Sequence, residues 1–122
     1  MLLFAKGKYK EGEELQNMSF EEMREGIFTA LDKLGERKRV LILPPDFTLF
    51  HSKAGIMTQI IYEYYKDAVK DILPALGTHY AMTETEIKTM FGEIPVSLFR
   101  YHDWRNDIVT LGRVPGEYLS EI

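Results

Sequence analysis

The 122-residue chain contains no cysteine, which removes a disulfide framework, a thiolate metal site and a thiol nucleophile together. Long apolar runs are missing too. The opening "MLLF" reaches "AKGK" after five apolar residues, too few for a signal-peptide core, and no later run nears the roughly eighteen needed to span a bilayer. There is no excess of positive charge: fifteen basic residues against nineteen acidic ones give a formal net charge of −4. The Lys and Arg are scattered, so no basic stripe could follow a phosphate backbone, and nucleic acid is not an expected partner. Several catalytic signatures are absent as well. "GKYKEG" lacks the spacing of a phosphate-binding loop, no two histidines stand four apart as in zinc proteases, and no Gly-x-Ser-x-Gly elbow occurs. These absences leave a soluble, cytoplasmic protein with no membrane partner as the expectation.

What is present is the composition of a globular domain, 45% apolar, 28% charged and 12% aromatic. The length suits a single domain spanning residues 1–122 that buries roughly two thirds of the surface exposed by its unfolded chain. "LLFAKGKY" reads as a short first strand. "SFEEMREGIFTALDKLG" carries a capping box at Ser19 and Glu22, apolar residues Phe20, Met23, Ile27, Leu31 and Leu34 at helical spacing, and a stop at Gly35. The aliphatic run Val40 to Leu43 predicts a strand buried on both faces, and Pro44-Pro45 close it. Ser52 can cap a second helix ending near Ala68, with Ile56, Ile60 and Tyr64 sharing a face with Met57 and Ile61. "VKDILPALG" predicts a strand that Pro74 makes short or places near an edge. Thr83 and Glu86 form a second capping box opening a helix through Phe91, and Ile108 to Leu111 predict a last strand.

This order predicts an α/β fold: a short three-layer βαβαβ domain with a mostly parallel sheet and right-handed crossovers. The loops Pro44 to His51 and Gly77 to Met82 then leave the C-terminal ends of their strands on one rim. Open α/β sheets bind ligands there. The stretch "ALGTHYAMTETEI" takes on meaning in that setting, since Gly77 permits a sharp turn and His79 is held at the rim.

His79 is the candidate general base, because a nearby helix N-terminus disfavours the imidazolium and Asp46 can orient the ring. Each candidate has a plainer alternative. Asp46 in Pro-Pro-Asp suits turn chemistry, with its carboxylate on local N–H groups, and Thr48 suits a local hydroxyl bond. His51 suits packing beside a helix entrance. In "RYHDWRND", His102 lies among Asp103 and Arg105, which suit a surface ion pair of little energy, and Trp104 suits core or interface filling. Tyr62, Tyr64 and Tyr65 read as packing.

"PPDFT" together with "ALGTHYAMTETEI" resembles the N-terminal region of lactate racemase and its relatives, enzymes dependent on a nickel-pincer nucleotide. The resemblance runs from about Leu2 to the end of the chain. It implies a racemase or epimerase of 2-hydroxy acids, in which the pincer nickel accepts a hydride while a histidine takes the hydroxyl proton. His79 matches the family's catalytic Gly-Thr-His histidine, and Asp46 and Thr48 match an Asp-x-Thr loop lining the substrate and cofactor site. The family usually continues that loop with Arg-Pro, the arginine gripping the substrate carboxylate, but here Leu49 and Phe50 follow. Losing a hydrogen bond to a charged group forfeits about 1.5–3 kcal/mol, so the identity of the hydroxy acid is open. Tyr80 stands where relatives often have arginine.

Family members are much longer. Their cofactor-tethering lysine, nickel-binding histidine and partner acid/base histidine lie beyond the span matched here. The implied partners are a small-molecule 2-hydroxy acid and a missing downstream part of the enzyme. No cofactor or metal is expected to bind this chain alone, which is expected to be an inactive fragment prone to self-association through uncovered apolar surface. The alternative is a non-catalytic α/β binding module that kept the scaffold and lost the anchor at position 49.

Overall fold

The computed structural model describes residues 18–120. Helix α1 spans Phe20–Leu34, and both halves of its capping box form: the Glu22 N–H donates to the Ser19 hydroxyl, and the Ser19 N–H donates to the Glu22 carboxylate. Strand β1 is Val40–Ile42 and strand β2 is Val69–Ile72. Between them lie a 3-10 segment, Phe47–Ser52, helix α2, Ala54–Tyr65, and a 3-10 turn at Lys66–Ala68. Helix α3, Glu84–Phe91, opens on the second capping box and stops at Gly92; a 3-10 turn at Val96–Leu98 and the short α4, Gly116–Ser120, follow.

Strands β1 and β2 pair in parallel, with Val40 opposite Val69 and Ile42 opposite Ile72. The α/β class and the parallel sheet predicted from sequence are therefore present. The core gathers Ile42, Val69, Ile72, Ile87, Met90 and Phe91, joining both strands to α3, while α1 lies against α2. Helices α2 and α3 approach closely because residue 55 is glycine: a Cβ there would stand 2.2 Å from the Met90 carbonyl oxygen.

Four sequence-based expectations need correction or placement. Ile108 to Leu111 is not a strand; the segment is irregular and exposed, Leu111 fully so. A parallel bridge from Phe99 to Ile72 occupies the third sheet position instead, held by the Arg100 N–H donating to the Ile72 carbonyl at 2.8 Å. The Val40–Leu43 run is covered on one face only. Ile42 is buried, whereas Leu41 and Leu43 alternate with it and stay 55% and 63% exposed. In α2 the predicted stripe holds at Ile60, which is buried, and at Ile61, which packs on the core, but Ile56 and Met57 stay exposed while Gly55 and Thr58 are buried, because the close crossing at Gly55 turns that side of the helix toward α3. The expected first strand lies outside the described residues.

Candidate site at the C-terminal rim of the sheet

Sheet pairing runs past the ends of both strands. The Leu73 N–H donates to the Ile42 carbonyl, the Ala75 N–H donates to the Pro44 carbonyl at 2.7 Å, and Pro45 bridges Ala75 in parallel. Two prolines are tolerated there because the Pro44 carbonyl still accepts although its nitrogen cannot donate. That bridge fixes Asp46, one residue beyond Pro45, against the chain leaving β2. Past Ala75 the backbone turns tightly. The His79 N–H closes onto the Leu76 carbonyl at 3.0 Å, and Gly77 sits at φ +59°, a region a side chain would resist. The turn delivers the imidazole to the carboxylate.

The result is a three-group chain. His79 Nδ1 lies 2.8 Å from Asp46 Oδ2, and the Thr48 hydroxyl donates to Asp46 Oδ1 at 2.5 Å. The Asp46 side chain is 7% exposed and that of His79 is 55% exposed, so a buried carboxylate holds a ring that reaches solvent. Burial alone would raise the Asp46 pKa; hydrogen bonds from Thr48 and His79, together with the imidazolium charge, outweigh it and hold the carboxyl below its ordinary value. Asp46 also opens the 3-10 segment, yet its side chain caps nothing there. Its local contacts are to Thr48, so the plainer turn reading holds in part and the reach to His79 is added to it.

These groups border a cleft of about 390 Å³, with Phe47, Thr78, Tyr80, Ala81, Met82 and Glu86 completing its wall. Of the residues singled out from sequence, Asp46, Thr48 and His79 come together. Leu49 does not line the cleft. It is 54% exposed at a kink in the 3-10 segment, with φ −106° and ψ 31°. His51 stacks edge-on against Phe50 at 5.1 Å, and His102 lies away from the cleft wall. Asp103 bonds the Asn106 side chain at 2.6 Å instead of pairing with Arg105, whose guanidinium lies over Trp104. Tyr62 and Tyr65 pack on the core as expected, and Tyr64 packs edge-on against Phe28. Sequence reasoning passed over Thr78 and Glu86 as cleft residues. Glu86 had been accounted for by its cap, yet its position in the first turn of the helix that follows the His79 loop is the signal that it borders the same rim.

The fold is a small α/β domain whose parallel sheet carries a histidine–carboxylate pair at its C-terminal rim. The chain belongs to the lactate racemase N-terminal domain family, whose pattern it matches over residues 10–117. Its fold is similar to the crystal structure of a protein from Thermotoga maritima, with a TM-score of 0.68 and 26% identity over 93% of this chain. The chain spans 28% of that protein's length. No curated protein matches it.

Proposed function

We propose that this chain is the N-terminal catalytic portion of an isomerase that racemises or epimerises 2-hydroxy acids, with His79 moving the hydroxyl proton. The observation that carries this reading is the 2.8 Å pairing of a half-exposed imidazole with a buried carboxylate on a cleft wall. A secondary hydroxyl is a poor acid in water. A base fixed within hydrogen-bond reach, with a carboxylate behind it to stabilise the imidazolium that forms, is the arrangement such a proton needs. The imidazolium can return the proton once the carbon centre has inverted. Thr78 and the rest of the wall would orient the substrate; Glu86 is already engaged by the Thr83 N–H at 3.0 Å.

The family resemblance carries the expectation of a nickel-pincer nucleotide, and the residues described here do not fit one. The cleft offers a single histidine and no lysine, and no cluster of three or more His, Cys, Asp or Glu able to hold a metal ion occurs among the described residues. Proton handling alone is therefore ascribed to this chain. The cofactor's site is assigned to the portion of the longer relatives outside it.

That portion also accounts for the uncovered surface. Leu41, Leu43, Ile108, Val109 and Leu111 are exposed, and the reading gives them to contact with the rest of a longer polypeptide, or to self-association when the chain stands alone. Among the described residues no helix is long and apolar enough to cross a membrane.

One observation favours the second reading, a non-catalytic binding module: among the described residues no arginine or lysine lines the cleft to grip a carboxylate. The test is interconversion of 2-hydroxy acid enantiomers by the full-length, cofactor-loaded polypeptide containing this chain. Turnover supports the isomerase. Silence overturns it in favour of the module.

A further inference from the structure

We infer that Asp46, oriented by Thr48, locks the neutral His79 ring with its proton on Nδ1, so that Nε2 is the atom that exchanges protons in the cleft. Thr48 is thus a positioning residue acting through Asp46. The inference deepens the isomerase reading by naming the working atom, and rests on it only for the purpose the lock serves.

The geometry leaves few alternatives. An ionised carboxylate only accepts hydrogen bonds, and the Asp46 carboxyl is held in its ionised form by its neighbours. Its Oδ1 receives the Thr48 hydroxyl at 2.5 Å and its Oδ2 faces His79 Nδ1 at 2.8 Å. A bare Nδ1 would set a lone pair against that oxygen, so Nδ1 must carry hydrogen in both the neutral and the charged ring. Free imidazole side chains in water prefer the proton on Nε2, the opposite arrangement. Asp46 overrides that preference, because the carboxylate oxygen facing Nδ1 can only accept a hydrogen. The Thr48 bond also fixes the carboxylate plane, a hydrogen bond to a buried charge and among the stronger ones available to a side chain. The fixed carboxylate holds the ring in one orientation although more than half of its side-chain surface is exposed. The same second-layer logic orients metal-bound and catalytic histidines elsewhere.

The lock is measurable on the chain itself. Two-bond proton–nitrogen NMR correlations of 15N-labelled protein in mildly alkaline solution distinguish the two neutral tautomers of each histidine. His79 is expected almost wholly as Nδ1–H, whereas His51 and His102 are expected to show the ordinary Nε2–H excess. In Asp46→Asn the Thr48 hydroxyl keeps the amide oxygen, which turns the amide NH2 toward Nδ1. His79 is then expected to invert to Nε2–H, a change of more than tenfold in the tautomer ratio. Adding Thr48→Val lets the amide turn over and narrows that excess several-fold, while Thr48→Ser preserves it. An Nε2–H majority in the wild type overturns the lock without any variant having to fold. An unchanged ratio in Asp46→Asn/Thr48→Val overturns the role of Thr48. Both outcomes are independent of turnover. A confirmed lock beside an enzyme indifferent to His79→Ala would leave the lock standing and remove the isomerase reading.

Discussion

Replacing Gly55 by alanine drives a methyl group into the backbone of the neighbouring helix. The added Cβ would lie 2.2 Å from the Met90 carbonyl oxygen, 3.1 Å from its carbonyl carbon and 3.0 Å from its Cγ. Two of those atoms are backbone, so no rotamer change relieves the contact. One helix must retreat by about 1 Å to restore ordinary van der Waals separation. Such overpacking costs about 1–3 kcal/mol, and the better helix propensity of alanine returns at most about 1 kcal/mol. The expected net loss is about 1–2 kcal/mol, a fall in melting temperature of roughly 4–8 °C. Gly26 supplies the contrast. It lies on exposed α1 with nothing within 4 Å of a built Cβ, so Gly26→Ala is expected to stabilise by about 0.5–1 kcal/mol. Urea unfolding followed by circular dichroism measures both. Gly55→Ala as stable as the wild type would refute the claim that the α2–α3 approach depends on a missing side chain.

Three further outcomes follow from the same geometry. Phe91→Ala removes a side chain with 0% exposure that packs on Phe99 at 5.0 Å, and should lower the unfolding free energy by about 3–5 kcal/mol in the same urea assay. Thr83→Ala removes the acceptor of the Glu86 N–H and should cost about 1 kcal/mol, with Thr83→Ser recovering most of it. The folded Asp46 carboxyl binds its proton less tightly than an unfolded one, so its stabilisation is present above the unfolded value of about 3.9 and is lost as pH falls through the lower folded value. Urea midpoints should therefore fall below about pH 4, with a shallower acid limb in Asp46→Asn.

The site was legible in the sequence because its three groups sit at fixed short distances from strand ends. Val40–Ile42 announced itself by an aliphatic run and Val69–Ile72 by the apolar stretch of "VKDILPALG" that it opens, both capping boxes formed as read, and parallel pairing then forced Asp46 and the Gly77–His79 turn onto one rim. What failed depended on which neighbour was present. Ile108 to Leu111 has β-forming residues but no partner strand to satisfy it, while Phe99, in a segment with no strand pattern, gained its bridge from the turn at Val96–Leu98 and the exposed edge of β2. Leu41 and Leu43 read as buried because an aliphatic run does not reveal whether a second layer exists. Leu49 is a different case: its place in the Asp-x-Thr loop pointed to the cleft, but the kinked 3-10 segment leaves it outside the wall.

The central claim is that the imidazole of His79 carries the proton of the reacting hydroxyl. It is tested most directly by turnover of 2-hydroxy acid enantiomers in the full-length, cofactor-loaded polypeptide with His79→Ala. Loss of a positioned acid/base group predicts a fall of about 10²–10⁴ in kcat. A rate within a factor of about three of the wild type, under 1 kcal/mol of barrier, would contradict it.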